Sequence, residues 1–211
     1  MISSNGLPSL EILISQFVVL ILSLSFHEAA HAWTANRLGD PTARSLGRLT
    51  LNPLAHIDWI GTVLFPLIAM ISHLPLLGWA KPVPVNIHNL QSPRRDFGIV
   101  ALAGPVSNIL LASGAVVAFL AVSSAWPDAY VVRFFLFRAI QLNVLLAVFN
   151  MLPVPPLDGG NVLMGIAPLP VATAINTIRP YGFLVLYALI FLGVLDAIMV
   201  PIEDALVGWL L

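Results

Sequence analysis

Cysteine is absent from the 211 residues. That removes disulfides, thiolate nucleophiles and every sulfur-ligated zinc site, so a metal here must be held by His, Asp or Glu. Charge is scarce as well: Asp, Glu, Lys and Arg make up 9% of the chain, against about a quarter in soluble domains. The net charge of −1 offers no basic excess for nucleic acid. The stretch MISSNGLPSLEILIS has no basic n-region and no small-residue cleavage site, so no removable signal peptide is expected. Repeats and long linkers are missing too, and residues 1–211 read as one domain. What remains is apolar. With 59% hydrophobic residues and a mean hydropathy of +0.95, the chain reads as an integral membrane protein.

Five apolar segments stand out, at 10–34, 58–78, 97–122, 134–153 and 181–200. Each is close to the ~20 residues a helix needs to cross a bilayer core. The stretch 159–178, with Pro168 and Pro170, is less regular, and 201–211 reads as a short interfacial helix. The expected fold is an all-α polytopic membrane protein with four to six transmembrane helices. Arg37, Arg44 and Arg48 follow the first segment, and Lys81, Arg94 and Arg95 follow the second. The positive-inside rule places both loops in the cytoplasm, so 58–78 makes no net crossing. With Pro66 and HLP at 73–75, it is predicted to be a re-entrant hairpin buried against protein. The other four segments then cross and both termini lie outside. Arg133 and Arg138, at the outer end of their helix, are exceptions to the charge rule.

Two polar stretches lie near the cytoplasmic face. RSLGRLTLNPLAHID (44–58) alternates Leu with polar or small residues and is predicted to form a short, β-like strand pair. GWAKPVPVN (78–86) is held extended by Pro82 and Pro84. Extended edges of this kind can accept a peptide by strand addition.

Chemistry concentrates in SFHEAAHAWTAN (25–36), at the end of the first apolar run. His27 and His31 are four apart, so a helix puts both imidazoles on one face, as two nitrogen ligands of Zn²⁺ require. Glu28 is rotated from that pair but stays beside the metal, where it can take a proton from water. At this composition HExxH is expected by chance about 0.002 times. Ionisable groups at membrane depth are functional by default. A catalytic zinc needs a third ligand. Asp158, in NMLPVPPLDGG (150–160), is the leading candidate, because flanking prolines and glycines break the helix there. Its competing role is as a cap for the helix that follows. Asp196 is the rival ligand, towards the outer end of the last helix. Asp58 and His56 read as turn or packing residues, and His73 and His88 have no partner spacing. Asn108 is a candidate oxyanion donor, against plain helix packing beside Gly104. Trp33 reads as an interfacial anchor.

HEAAH (27–31), AGPVSN (103–108) and NMLPVPPLDGG (150–160), in this order, closely resemble the site-2 protease family of intramembrane metalloproteases. GRLTLNPLAHID and GWAKPVPVN resemble its compact prokaryotic branch, without a PDZ or CBS domain. The resemblance implies one Zn²⁺ per chain, held by His27, His31 and Asp158, with Glu28 as catalytic base. It implies that Asn150 contacts the substrate backbone. It further implies single-span or other membrane proteins as substrates, in the inner membrane of a prokaryote, cut at a site facing the cytoplasm. A membrane metal-binding or transport protein would use the same His and Asp ligands but give Glu28 no task. A catalytically idle scaffold that binds partner helices would not need all four of His27, Glu28, His31 and Asp158.

Overall fold

The computed structural model describes residues 10–72 and 79–210, and the regular structure among them is all helical, without a strand. The first helix, α1 (Leu10–Arg37), stops where the sequence turns from apolar to RLGD. Gly39, at φ +108°, allows the left-handed turn, and Asp40 N–H closes back on Ala35 C=O at 2.9 Å. This is a Schellman end. The long helix α4 (Pro93–Ala125) begins at Ser92, with Pro93 in its first turn and the Asp96 carboxylate accepting Ser92 N–H at 2.7 Å. α4 runs antiparallel to α1, and α5 (Tyr130–Asn150) packs against both.

Four stretches are long and apolar enough to cross a membrane: Ile14–Arg37, Pro93–Ala125, Tyr130–Asn150 and Leu169–Phe191. The protein is a multi-pass membrane protein. Leu110, Val117 and Phe191 are 67%, 69% and 86% exposed, an outer surface suited to lipid rather than water. Because α1 and α4 are antiparallel, Arg37, Arg44 and Arg48 share one end with Arg94 and Arg95. Trp126 and Tyr130 mark the opposite end, as aromatic anchors do at an interface.

The last crossing differs from the sequence reading. The apolar segment 181–200 is cut at Gly193, φ +69°, into α8 (Gly182–Phe191) and α9 (Val194–Leu210). The stretch 159–178 is helical, as α6 (Asp158–Ile166) and α7 (Leu169–Ile178), and α7 with α8 forms the fourth long apolar stretch. Pro168 and Pro170 sit at the start of α7, where a missing N–H leaves no helix bond unmade.

The strand pair predicted at 44–58 does not form. Thr42–Ser45 is a short helix, α2, and Pro53–Ala55 a 3₁₀ turn. The polar residues between the leucines satisfy backbone donors locally instead of leaving them for a partner strand. Asn52 Oδ1 accepts Leu54 N–H at 3.1 Å, and Asp58 Oδ1 accepts Ile60 and Gly61 N–H at 3.1 and 2.8 Å. Asp58 thereby caps a π-helical turn, Trp59–Leu64, that continues into α3 (Phe65–Ser72). Trp79 N–H bonds to Gly61 C=O at 3.1 Å, so the chain returns to the level at which it left. The two ends of the segment expected to be re-entrant thus meet; HLP at 73–75 lies outside the described residues.

Candidate metal centre

Positions 27 and 31 on α1 meet positions 100, 104 and 108 on α4, each spaced by one helical turn. Gly104 sits opposite both imidazoles: a Cβ there would collide with His27 Cε1 and Nε2 and with His31 Nε2. One turn to either side, α4 supplies acceptors. Asn108 Oδ1 lies 2.7 Å from His27 Nδ1, and Val100 C=O lies 2.7 Å from His31 Nδ1. Both partners can only accept, so each Nδ1 carries the proton and each Nε2 presents its lone pair to the site. Asn108 is itself aimed. Asn143 Nδ2 donates to Ala139 C=O at 2.9 Å, which leaves Asn143 Oδ1 to accept Asn108 Nδ2 at 2.9 Å.

Asp158 is the first residue of α6, which lies close against α4 where Gly98 and Gly165 meet almost backbone to backbone. Gly159 has no room for a Cβ beside the Met151 and Leu152 carbonyls. The loop 151–157 therefore folds tightly under α6 and presents Asp158 to the histidine pair. Asp158 Oδ2 is 3.1 Å from His27 Nε2 and 3.4 Å from His31 Nε2. The ligand atoms of His27, His31 and Asp158 all lie within 4.8 Å of one another.

These residues fit a zinc ion. Donors bound at about 2.0–2.1 Å around a tetrahedral centre stand about 3.3 Å apart. Asp158 Oδ2 is buried and accepts no hydrogen bond among the described residues. Three electron-pair donors thus converge on one point without a proton assigned between them, and a cation resolves that. The cap expected as the alternative for Asp158 is absent: Leu157 takes the N-cap position of α6.

Glu28 is buried beside the cluster, and its Oε2 accepts Val83 N–H at 2.8 Å. The four residues open onto a cavity of about 360 Å³, with room for about a dozen waters. Leu24, Phe97, Leu146, Phe149 and Tyr187 supply much of its apolar wall, and Asn150 and Asn161 add polar groups. Asn150 donates to Leu146 C=O at 2.9 Å within its own helix while lining the cavity. His31 lies about 9 Å and His27 about 15 Å along α1 from Arg37, below the charged end of the molecule.

The remaining sequence candidates fall elsewhere. Asn108, expected as an oxyanion donor, is fully buried, and its NH₂ faces Asn143 Oδ1 and, at 3.5 Å, Ser23 C=O. Its donors are committed inside the protein, and its Oδ1 is the partner of His27 Nδ1. Asp196 stands outside the cluster on α9. His56 is buried with Nε2 bonded to Thr50 C=O at 2.8 Å, a packing role; His88 is exposed. Trp33 is exposed under Arg37, whose guanidinium lies 5.0 Å from the ring centroid.

The description Peptidase family M50 belongs to a family model that matches residues 123–192. "Putative zinc metalloprotease YwhC" of Bacillus subtilis (strain 168) is 37% identical over 196 residues, covering 89% of this chain and 85% of YwhC. The chain belongs to peptidase family M50. A second relative in the family, "Putative zinc metalloprotease Rip2" of Mycolicibacterium smegmatis, is 32% identical over 179 residues, covering 83% of this chain and 66% of Rip2. Rip2 of Mycobacterium tuberculosis (strain ATCC 25618 / H37Rv) is 32% identical over 147 residues, 66% of this chain and 52% of Rip2. No solved structure is significantly similar to this M50 chain.

Proposed function

We propose that this M50 protein is an intramembrane zinc endopeptidase that cuts membrane-spanning protein substrates near the cytoplasmic face. His27, His31 and Asp158 hold the metal, and Glu28 is the base. The observation that carries this reading is the convergence of three electron-pair donors within 4.8 Å, with a buried carboxylate at their edge. A bound zinc would supply a Lewis acid for the scissile carbonyl and a water acidified to a pKa of about 7. Glu28 takes the proton from the attacking water as the C–O bond forms, and gives it to the leaving nitrogen as the C–N bond breaks. Asn108 and the Val100 carbonyl keep the imidazoles turned to the site throughout. Asn150 bonds the extended substrate backbone in this reading, which its position on the cavity wall supports. The gathering of Arg37, Arg44, Arg48, Arg94 and Arg95 at the near end supports a cytoplasmic opening.

The test is cleavage of a single-span substrate in reconstituted vesicles, before and after chelation and with Zn²⁺ added back. Loss on chelation and recovery with zinc is expected. Stoichiometric zinc with no cleavage of any single-span substrate would overturn the peptidase reading in favour of a metal-binding or transport role.

A further inference from the structure

Residues 79–86 line one wall of the cavity as an extended strap, and the fastening of that strap accounts for the position of Glu28. Trp79 N–H donates to Gly61 C=O at 3.1 Å, and Trp79 C=O accepts from Thr62 Oγ1 at 2.8 Å. Lys81 N–H donates to His56 C=O at 2.9 Å, and Lys81 C=O accepts from Arg48 Nη2 at 2.6 Å. Val83 N–H goes to Glu28 Oε2. Pro82 and Pro84, between and beyond these donors, have no N–H to give. The expectation that this stretch recruits a peptide by strand addition meets an edge whose donors at 79, 81 and 83 are already bonded. They serve the protein's own loops and its own carboxylate.

The far end of the strap is tied to a second carboxylate. Asp40 is fully buried, just past the Schellman end of the helix that carries Glu28. Its Oδ2 accepts Asn86 N–H at 2.7 Å, and its Oδ1 accepts Asn89 Nδ2 at 2.9 Å, Thr42 N–H at 3.1 Å and the Thr42 hydroxyl. A buried charge is retained only when its acceptors are filled, and here the strap and its continuation fill them together with Thr42. One helix with its cap thus grips the strap at two places, Glu28 at Val83 and Asp40 at Asn86. Between them Val83 is confined to extended backbone by Pro84.

We propose that the strap aims the catalytic base: the Val83 amide fixes where the Glu28 carboxylate sits, and Asp40 is the positioning residue that holds the strap in register. This rests on Glu28 being the base. A carboxylate anchored by one oxygen keeps the other directed into the cavity, and no other hydrogen bond to Glu28 has been identified among the described residues. Misplacing a catalytic group by about 1 Å can slow turnover by about a hundredfold.

The experiment compares V83A, which keeps the amide, with V83P, which removes it, and adds D40N, all in the zinc-loaded full chain. Four quantities are read: kcat and KM on a single-span substrate, zinc content and, where residue 83 keeps its N–H, hydrogen exchange of that amide. V83A keeps the amide and sets what loss of the side chain from the cavity wall costs by itself, which should be well below the loss in V83P. V83P should lose at least about tenfold in kcat with KM and zinc content unchanged. D40N should lower kcat in the same sense and speed exchange at Val83. Equal losses in V83A and V83P would overturn the proposal by assigning the effect to side-chain packing. Loss of zinc in V83P or D40N would overturn it too, because the strap would then support the ligands and not the base. Unchanged Val83 exchange in D40N removes Asp40 from the device. If the unaltered protein cleaves nothing, the peptidase reading fails on its own. Exchange at Val83 then still decides the contact, since E28A must accelerate it, and an unchanged rate overturns the aiming claim.

Discussion

Asn108 Oδ1 accepts the Nδ1 proton of His27 across 2.7 Å, and this bond joins the two helices that build the site. It turns an ordinary imidazole into one whose Nε2 has a single orientation. Removing such a partner weakens metal binding roughly 10–100-fold. Asn108→Ala should therefore lower zinc affinity by about that factor, measured by competition with a chromogenic chelator, while His27 and His31 remain in place. An affinity equal to that of the unaltered protein would make Asn108 a packing residue.

Gly104 tests the same interface by volume. In a helix interior Ala is about 1 kcal/mol better than Gly, so propensity alone predicts that Gly104→Ala stabilises. The structure predicts the opposite sign, because the new methyl would enter the space of two imidazoles held by Nδ1 bonds. Overpacking of this kind costs about 1–3 kcal/mol. A lower melting temperature in detergent, together with reduced zinc content, is the expected outcome; a raised one would show that the histidines have room to move.

How far the sequence could be read follows from the range of each interaction. HEAAH needs only the helical period to place two imidazoles together, and its ionisable groups in an apolar run marked it as a site. Helix breakers around Asp158 were visible for the same local reason. The strand pair expected at 44–58 failed because Asn52 and Asp58 take local backbone N–H groups, which alternation of Leu with polar residues does not reveal. The crossing at 181–200 failed because Gly193 in an apolar run reads as a tolerated glycine until its φ of +69° is seen. Asn143, Val83 and Asp40 escaped notice because each acts through a partner distant in sequence: Asn143 on Asn108, Val83 on Glu28, and Asp40 on Asn86. AGPVSN did carry a signal, in the four-residue step from Gly104 to Asn108.

Asp40 gives a pH dependence with a definite sign. Burial raises its carboxyl pKa, but bonds from Thr42, Asn89 and Asn86 outweigh burial and hold it below the ordinary carboxylate value. A folded-state pKa below the unfolded one means stabilisation that is complete above about pH 4 and lost as pH falls through the folded value. The protein should therefore melt above D40N at pH 7, with the gap narrowing as the pH is taken below about 4. Comparing the two proteins largely cancels the other carboxylates. A gap constant from pH 7 to pH 3 would show that the charge on Asp40 is not what the strap holds.

Glu28, buried, and Asp158, partly buried, are two carboxylates at one site, and their substitutions separate base from ligand. Glu28→Gln keeps an oxygen that can accept Val83 N–H, so the strap and the zinc should stay while the proton acceptor is lost. Cleavage of a single-span substrate should fall by about 10²–10⁴-fold with metal content unchanged. Asp158→Asn removes the charge that faces both Nε2 atoms, and zinc content should fall, as read by elemental analysis of the purified protein. Retained turnover in Glu28→Gln would remove it as the base. Full zinc in Asp158→Asn would require a ligand other than the one carboxylate that the structure brings within 3.1 and 3.4 Å of the histidines.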